Sequence, residues 1–189
     1  MSRNRSSILA VVLAAGLLAV LLLALRPPAA IGRELAVPES QLVEAELVGV
    51  GQLPGHSIAV ALLRVDGEPD PVAIFIGLPE AEAIQRARGG VTPARPLTHE
   101  LGVGLLDATG ARVQRLVIDE MRDGAYFAAL ELKLRDRRGT VWVDSRPSDG
   151  LALAVRHEAT ILLSPQVVRA GTTLDPASPE ADATFTQRL

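Results

Sequence analysis

Two stretches of the sequence follow the same plan, in which three short strands lead into a helix that opens on a proline. In the first stretch the strand signals cover residues 42–50, 57–65 and 71–77, and Pro79 opens the helix. In the second stretch they cover residues 112–119, 125–135 and 140–144, and Pro147 opens the helix. Alternating runs bounded by turn residues predict strands. Their repetition at a nearly constant offset indicates an internal duplication.

An apolar run near the start of the chain predicts a membrane anchor. Residues 8–25 are all apolar or glycine, and Arg3 and Arg5 precede them. At about 1.5 Å per residue such a helix spans roughly 27 Å, which is close to the thickness of a bilayer core. A signal peptide has a shorter apolar core and a small-residue cleavage site. We therefore predict an uncleaved anchor over residues 1–26, with a cleaved signal peptide as the alternative, and expect the domain on the extracytoplasmic, periplasmic side.

The rest of the chain divides into three parts. Residues 27–40 contain prolines and predict a linker, and residues 41–170 hold the strand and helix signals of a single domain. Residues 171–189 are polar and predict a disordered tail. The chain has no cysteine, which excludes a disulfide framework and a thiolate metal site.

Charge limits the classes of partner. Beyond the anchor, 16 basic and 22 acidic residues give a net charge of −6, so the domain has no overall attraction for a phosphate backbone. Nucleic-acid binding would need a local basic patch. The sequence offers one candidate for such a patch, and the alternative interpretation of that candidate is a solvated hairpin tip. That candidate consists of Arg135, Arg137 and Arg138, with Arg112 and Arg115 on a neighbouring strand.

Three segments together resemble the bifunctional nuclease domain family. They are residues 74–84, where a strand ending in Ile-Gly precedes a Glu-Ala helix, the Arg-Pro-Leu-Thr-His sequence at 95–99, and the Asp-Ser-Arg-Pro-Ser-Asp-Gly sequence at 144–150. Ser145 and Gly150 stand where the family usually has alanine. The resemblance covers about residues 42–168. It implies an α+β fold with a duplicated unit of three strands and two helices around one curved, barrel-like sheet, and it implies homo-oligomers that cleave RNA and DNA.

Phosphodiester cleavage requires an activated nucleophile and positive charge near phosphorus. Proteins supply these with Mg²⁺ or Mn²⁺ held by carboxylates, or with histidine and arginine. The best predicted metal ligands are Asp144 and Asp149, at a strand-to-helix corner, and Glu80 in the first turn of the other proline-opened helix. The alternatives are that Asp149 caps its helix and that Glu80 complements the helix dipole.

Four further residues complete the predicted site. His99 is predicted as a general base or substrate contact, with a structural role as the alternative. Arg95 and Arg146 precede prolines, and each is predicted either to clamp phosphate or to pair with a nearby aspartate. Ser148 is predicted to contact the substrate. Asp119 and Asp123 flank a predicted turn and are assigned to turn chemistry.

These patterns lead to two hypotheses about function. The first is a membrane-anchored domain that hydrolyses RNA or DNA with the assistance of a divalent metal and forms homo-oligomers. The second is a non-catalytic oligomeric module that binds a protein or a small ligand. The net negative charge and the absence of an aromatic platform for stacking bases favour the second.

Overall fold

The computed structural model describes residues 32–53, 55–135 and 139–172. The described part contains seven strands and four helices, preceded by a single 3₁₀ turn at Glu39–Gln41. The strands are β1 (Val43–Gln52), β2 (Ile58–Val65), β3 (Val72–Gly77), β4 (Ala111–Arg122), β5 (Ala125–Leu134), β6 (Thr140–Ser145) and β7 (Thr160–Leu163). The helices are α1 (Leu78–Arg88), α2 (Thr98–Ala108), α3 (Pro147–His157) and α4 (Pro165–Thr172).

One sheet contains all seven of these strands, in the order β3-β2-β1-β7-β4-β5-β6. The strands β1 to β3 form one antiparallel meander, and β4 to β6 form another. Strand β7 joins the two meanders, since it pairs antiparallel with β1 and parallel with β4. The predicted α+β class is confirmed, and the order of three strands and a helix occurs in both halves. In the second half β7 separates the two helices.

The sheet is curled into a half-barrel, and interruptions in strand register contribute to the curl. The pairing of β1 with β2 shifts between Leu47 and Gly49, and the pairing of β4 with β5 shifts at two places. An extra residue on one strand bends it and increases its twist. The second shift in β4 leaves Asp119 between Ile118 and Glu120 without a cross-strand partner.

Helices α1 and α3 pack against each other and against the sheet. Ile84 of α1 and Leu151 of α3 are fully buried, together with Leu63, Leu116 and Ile118 of the sheet. Each of the two helices begins with a proline in its first turn, after a residue with extended backbone, as the sequence predicts. This packing brings the N-terminal ends of the two helices onto the same side of the domain.

The predicted anchor and the predicted disordered tail lie at the two ends of the chain. The predicted anchor at residues 1–26 lies outside the described residues, and within the described ranges no helix has the length and apolar character needed to cross a membrane. Helix α4 continues to Thr172, and the remainder of the predicted disordered tail lies outside the described residues.

The assignment of Asp119 to a turn was wrong, because β4 continues past it to Arg122. The turn is at Asp123 and Gly124, which both have positive φ angles (51° and 71°), as in a tight two-residue hairpin. Asp123 therefore has the turn role that the sequence predicts.

Candidate functional site

The adjacent N-terminal ends of α1 and α3 each carry a carboxylate. Glu80 is the third residue of α1, and Asp149 is the third residue of α3. Neither helix has a side-chain hydrogen bond at its N-cap. Asp149 contacts His99 and Arg146, so its position in the first turn of α3 is not its only role. Both carboxylates are directed to other partners.

The guanidinium of Arg146 joins these two carboxylates. Its Nη2 donates to Glu80 Oε1 at 2.9 Å, while its Nε and Nη2 donate to the two oxygens of Asp149 at 2.7 and 3.2 Å. The paired contact with Asp149 is the forked geometry that fixes a guanidinium most firmly. The Arg146 side chain is nevertheless 67% exposed, and within the described part of the chain Nη1 has no hydrogen-bond partner. Arg146 thus keeps one edge free for a ligand.

His99 contacts the same aspartate from α2. Its Nε2 lies 3.0 Å from Asp149 Oδ1, and its ring is mostly buried. The hydrogen bond from His99, together with the Arg146 guanidinium, lowers the pKa of Asp149 to about 2. An ionised carboxylate at Nε2 favours the tautomer that carries its proton there, which leaves Nδ1 as a proton acceptor. We call Glu80, His99, Arg146 and Asp149 the Arg146 cluster.

A second ion pair holds α2 in place. No residue of α2 is fully buried, although Leu106 is partly buried against the core. Arg156 of α3 hydrogen-bonds to the carboxylate of Glu100, and the same guanidinium donates to the carbonyls of Ala83 and Ala152 at 3.1 and 2.7 Å. Burial acts to raise the pKa of Glu100, but the hydrogen bond and charge of Arg156 together with backbone hydrogen bonds outweigh it, and the pKa lies below its usual value. This pair therefore positions the neighbouring His99.

The other predicted site residues do not take part in these contacts. Asp144 is 72% exposed and lies 3.5 Å from Nε of Arg33. Arg95 is exposed in the loop before α2 and has no hydrogen bond or ion pair within the described ranges. Ser148 is buried, so its hydroxyl is not offered to a substrate arriving from solvent. The structure thus brings together four of the seven predicted residues.

Sequence reasoning missed a buried ion pair at the bulge of β4. Asp119 is fully buried and accepts hydrogen bonds from Arg33 Nη2 and from the backbone N–H of Ala36, both at 2.6 Å. The Arg33 guanidinium also lies 6.0 Å from the centre of the Phe127 ring. These contacts fasten residues 33–36, part of the predicted linker, to the domain. Sequence reasoning also missed the ion pair between Glu100 and Arg156. The one weak signal for it is that Glu100 occupies the third position of its helix.

The predicted metal ligands do not form one ligand set in this arrangement. The cationic guanidinium of Arg146 lies against both Glu80 and Asp149, and Asp144 contacts Arg33 instead. Across the ranges that the structure describes, no group of three or more histidine or carboxylate side chains is placed to hold a metal ion. As placed in the described part of the chain, these residues therefore do not form one site for a shared Mg²⁺ or Mn²⁺.

Comparison with known proteins gives a family-model match whose range includes the whole Arg146 cluster. The model of the bifunctional nuclease domain matches residues 61–174. Two uncharacterized proteins of Mycobacterium tuberculosis, from strains CDC 1551 / Oshkosh and ATCC 25618 / H37Rv, are each 32% identical to the chain over 145 residues. These matches cover 77% of this chain and 85% of each relative. Bifunctional nuclease 2 of Arabidopsis thaliana is 30% identical over 114 residues, which are 59% of this chain and 35% of that protein.

Proposed function

Because the chain belongs to the bifunctional nuclease domain family, we propose that it hydrolyses phosphodiester bonds of RNA or DNA at the Arg146 cluster. The observation that carries the proposal is a partly free guanidinium fixed beside a histidine–aspartate pair. A guanidinium matches the paired oxygens of a phosphate group. A histidine oriented by a carboxylate is a frequent general base.

The side chains of the cluster have separate roles in this proposal. The free edge of Arg146 contacts the non-bridging phosphate oxygens, and Glu80 and Asp149 hold its guanidinium in place. His99 accepts a proton from the attacking water at Nδ1, and Asp149 stabilises the imidazolium that forms. The new bond joins the water oxygen to phosphorus, the bond from phosphorus to the leaving oxygen breaks, and that oxygen takes up a proton. The products are a phosphomonoester and an alcohol.

The net charge of the Arg146 cluster leads to a separate prediction, which is that cleavage requires a cation. The cluster contains two carboxylates and one guanidinium, so an anionic phosphodiester approaches a region of net negative charge unless a cation accompanies it. We therefore retain the prediction that cleavage requires Mg²⁺ or Mn²⁺, although the ligand set proposed from the sequence does not fit. Incubation with either metal or with EDTA tests it directly.

The test of the proposed nuclease compares matched variants of the full chain on single-stranded RNA and DNA. We expect His99→Gln and Asp149→Asn to lower the cleavage rate by about 100-fold or more, because they remove the base or its orienting carboxylate. The control is Glu82→Gln, which removes a carboxylate from the same helix as Glu80. Glu82 is exposed and pairs only with Arg86 of its own helix, so its loss should leave the rate unchanged. Equal cleavage by folded His99→Gln protein would refute the proposed site.

The exposed face of α2 supports the proposal that the chain forms homo-oligomers. Leu97, Leu101 and Leu105 recur at four-residue spacing, and each is about half exposed or more. Contiguous apolar surface of this kind marks interaction sites. The same face favours the second candidate function, a non-catalytic assembly module. Oligomers that show no cleavage with any metal would support that function over the nuclease.

We also propose that residues 1–26 anchor the chain in a membrane with the domain outside the cytoplasm. The apolar run at residues 8–25 supports this proposal. Membrane fractionation tests the anchor, and digestion of intact spheroplasts with protease tests the side on which the domain lies. Full-length protein recovered entirely in the soluble fraction would contradict the anchor.

A further inference from the structure

A cavity of about 600 Å³ lies at the other end of α3 from the Arg146 cluster. It opens between the ends of α2, β5 and α3 and the start of β4. Asp149 and His157 are eight residues apart on α3, which corresponds to about 12 Å along the helix axis. The cavity is therefore separate from the proposed nuclease site, and its volume is in the usual range for small-molecule sites.

His157 is a buried residue in the wall of this cavity. The residue is 8% exposed and lines the cavity wall, and its Nε2 has no hydrogen-bond partner in the described part of the chain. Burial lowers the pKa of His157, and the nearby Arg112 adds to this effect while Asp107 opposes it. The wall therefore holds an imidazole whose neutral form is favoured.

Unpaired cations surround the same cavity. Arg112 of β4 and Lys133 of β5 are directly opposite each other in the strand register, and like charges in this arrangement repel. Both are exposed, and neither has a hydrogen bond or ion pair within the described ranges. Arg135 also lines the cavity, where it packs over Gly110. The wall includes two carboxylates, Asp107 and Glu158, so its cations outnumber its anions.

We propose that this cavity binds the phosphate group of a small phosphorylated molecule. An anion between Arg112 and Lys133 would relieve their mutual repulsion, and a phosphate has enough oxygens to contact both cations together. The cavity is several times larger than a phosphate ion, and apolar side chains such as Val113 and Leu134 line part of it. The size and lining therefore suit a nucleoside monophosphate. This inference does not depend on the proposed nuclease activity.

Titration calorimetry on the full chain tests the proposal with three probes: adenosine monophosphate, inorganic phosphate and adenosine. We expect the monophosphate to bind and adenosine to bind at least 10-fold more weakly. Binding of inorganic phosphate as well would show that the phosphate group alone is sufficient. Equal binding of adenosine, or no binding of either phosphate probe, would overturn the proposal.

Matched substitutions locate the binding. We expect Arg112→Gln and Lys133→Gln each to weaken monophosphate binding at least 10-fold, and both residues are exposed, so the fold should survive. The control is Arg64→Gln, which removes the same charge from β2, where Arg64 pairs with Glu46 at 2.8 Å. Equal weakening by the control would mean nonspecific attraction and refute the site. In the unaltered chain, the monophosphate should also shift the ¹⁵N resonances of the His157 ring, because His157 lies in the cavity wall; unmoved resonances would place the ligand elsewhere and refute this site.

Discussion

At the scale of single residues, the contacts of the carboxylates in the Arg146 cluster depend on how α1 packs on α3. The corner at residues 144–150 and the first turn of α1 were both predicted, because a carboxylate beside a helix start is a local pattern. Which carboxylates share a partner is decided by the packing of α1 on α3, between residues 66 positions apart. Asp144 and Asp149 are neighbours in sequence, yet Asp144 contacts Arg33 whereas Asp149 contacts Arg146 and His99.

Asp149 should titrate far below an ordinary aspartate. Its pKa is about 2, against 3.8 for the unperturbed group, because His99 and Arg146 both favour the ionised form. A lowered pKa in the folded state means that this carboxylate stabilises the fold above pH 3.8 and that the contribution disappears as the pH falls through about 2. Carboxyl ¹³C NMR during an acid titration measures the midpoint.

The variants that test this assignment are His99→Gln and Arg146→Gln. Each removes one of the two groups that favour the ionised carboxylate, so each should move the Asp149 midpoint upward, toward 3.8. Glu82→Gln is the control and should not move it. A midpoint that stays near 2 in both site variants would mean that another group holds the carboxylate ionised.

At the scale of secondary-structure elements, the strands and the two proline-opened helices were predictable, since alternation and proline placement act locally. The bulges in β4 were not, because a one-residue break in the alternation does not by itself distinguish a bulge from the end of a strand. Asp119 shows the consequence. Its sequence neighbourhood suggested a turn, whereas its position at the bulge buries it against Arg33.

Gly150 shows how a helix preference and core packing oppose each other. A Cβ at this position would lie 2.5 Å from Cδ1 of Leu116, a fully buried side chain. Alanine gains about 1 kcal/mol in helix propensity, but crowding a packed core costs about 1–3 kcal/mol. We expect Gly150→Ala to lower the free energy of unfolding by about 1 kcal/mol in urea denaturation. In a Leu116→Val background, which removes Cδ1, the same change should stabilise the protein. Stabilisation in the unaltered background would contradict the assigned crowding.

The ion pair between Glu100 and Arg156 attaches α2 to α3. Removal of this pair should therefore affect activity indirectly, through the position of His99. Arg156→Leu leaves Glu100 without its main partner and should loosen α2, at a cost of about 2 kcal/mol in the free energy of unfolding. Because α2 carries His99, hydrogen exchange in residues 98–108 should become faster and cleavage slower. Arg86→Leu is the matched control. Arg86 Nε lies 4.0 Å from Oε1 of Glu100, which is the limit of an ion-pair distance. Unchanged exchange in α2 of the Arg156 variant would show that other contacts hold the helix.

At the scale of the whole molecule, the described chain leaves one helix incompletely packed. Helix α2 has no buried residue, although its composition is strongly apolar. Leu101 and Leu105, with Leu97 at the N-cap, are exposed on one face, while the opposite side reaches α3 through His99 and Glu100. The sequence could predict oligomers only through a family resemblance. The surface that would form them follows from the packing of α2, which no local pattern specifies.

If this face joins two copies of the chain, a charge on it should separate them. We expect Leu101→Glu and Leu105→Glu to shift the molar mass measured by light scattering after size exclusion toward the monomer, because carboxylates in an apolar interface lose hydration without gaining partners. Val91→Glu is the matched control, since Val91 is also exposed and apolar but lies in the loop before α2.

A mass unchanged in both leucine variants would place the interface elsewhere, and a monomeric unaltered chain would remove the oligomer proposal. The same variants also relate assembly to catalysis, because α2 carries His99 on the side that faces Asp149. If neighbouring copies hold α2 against α3, the variants that become monomeric should also lose their cleavage activity. If Arg156 alone holds it, they should become monomers that cleave at the original rate.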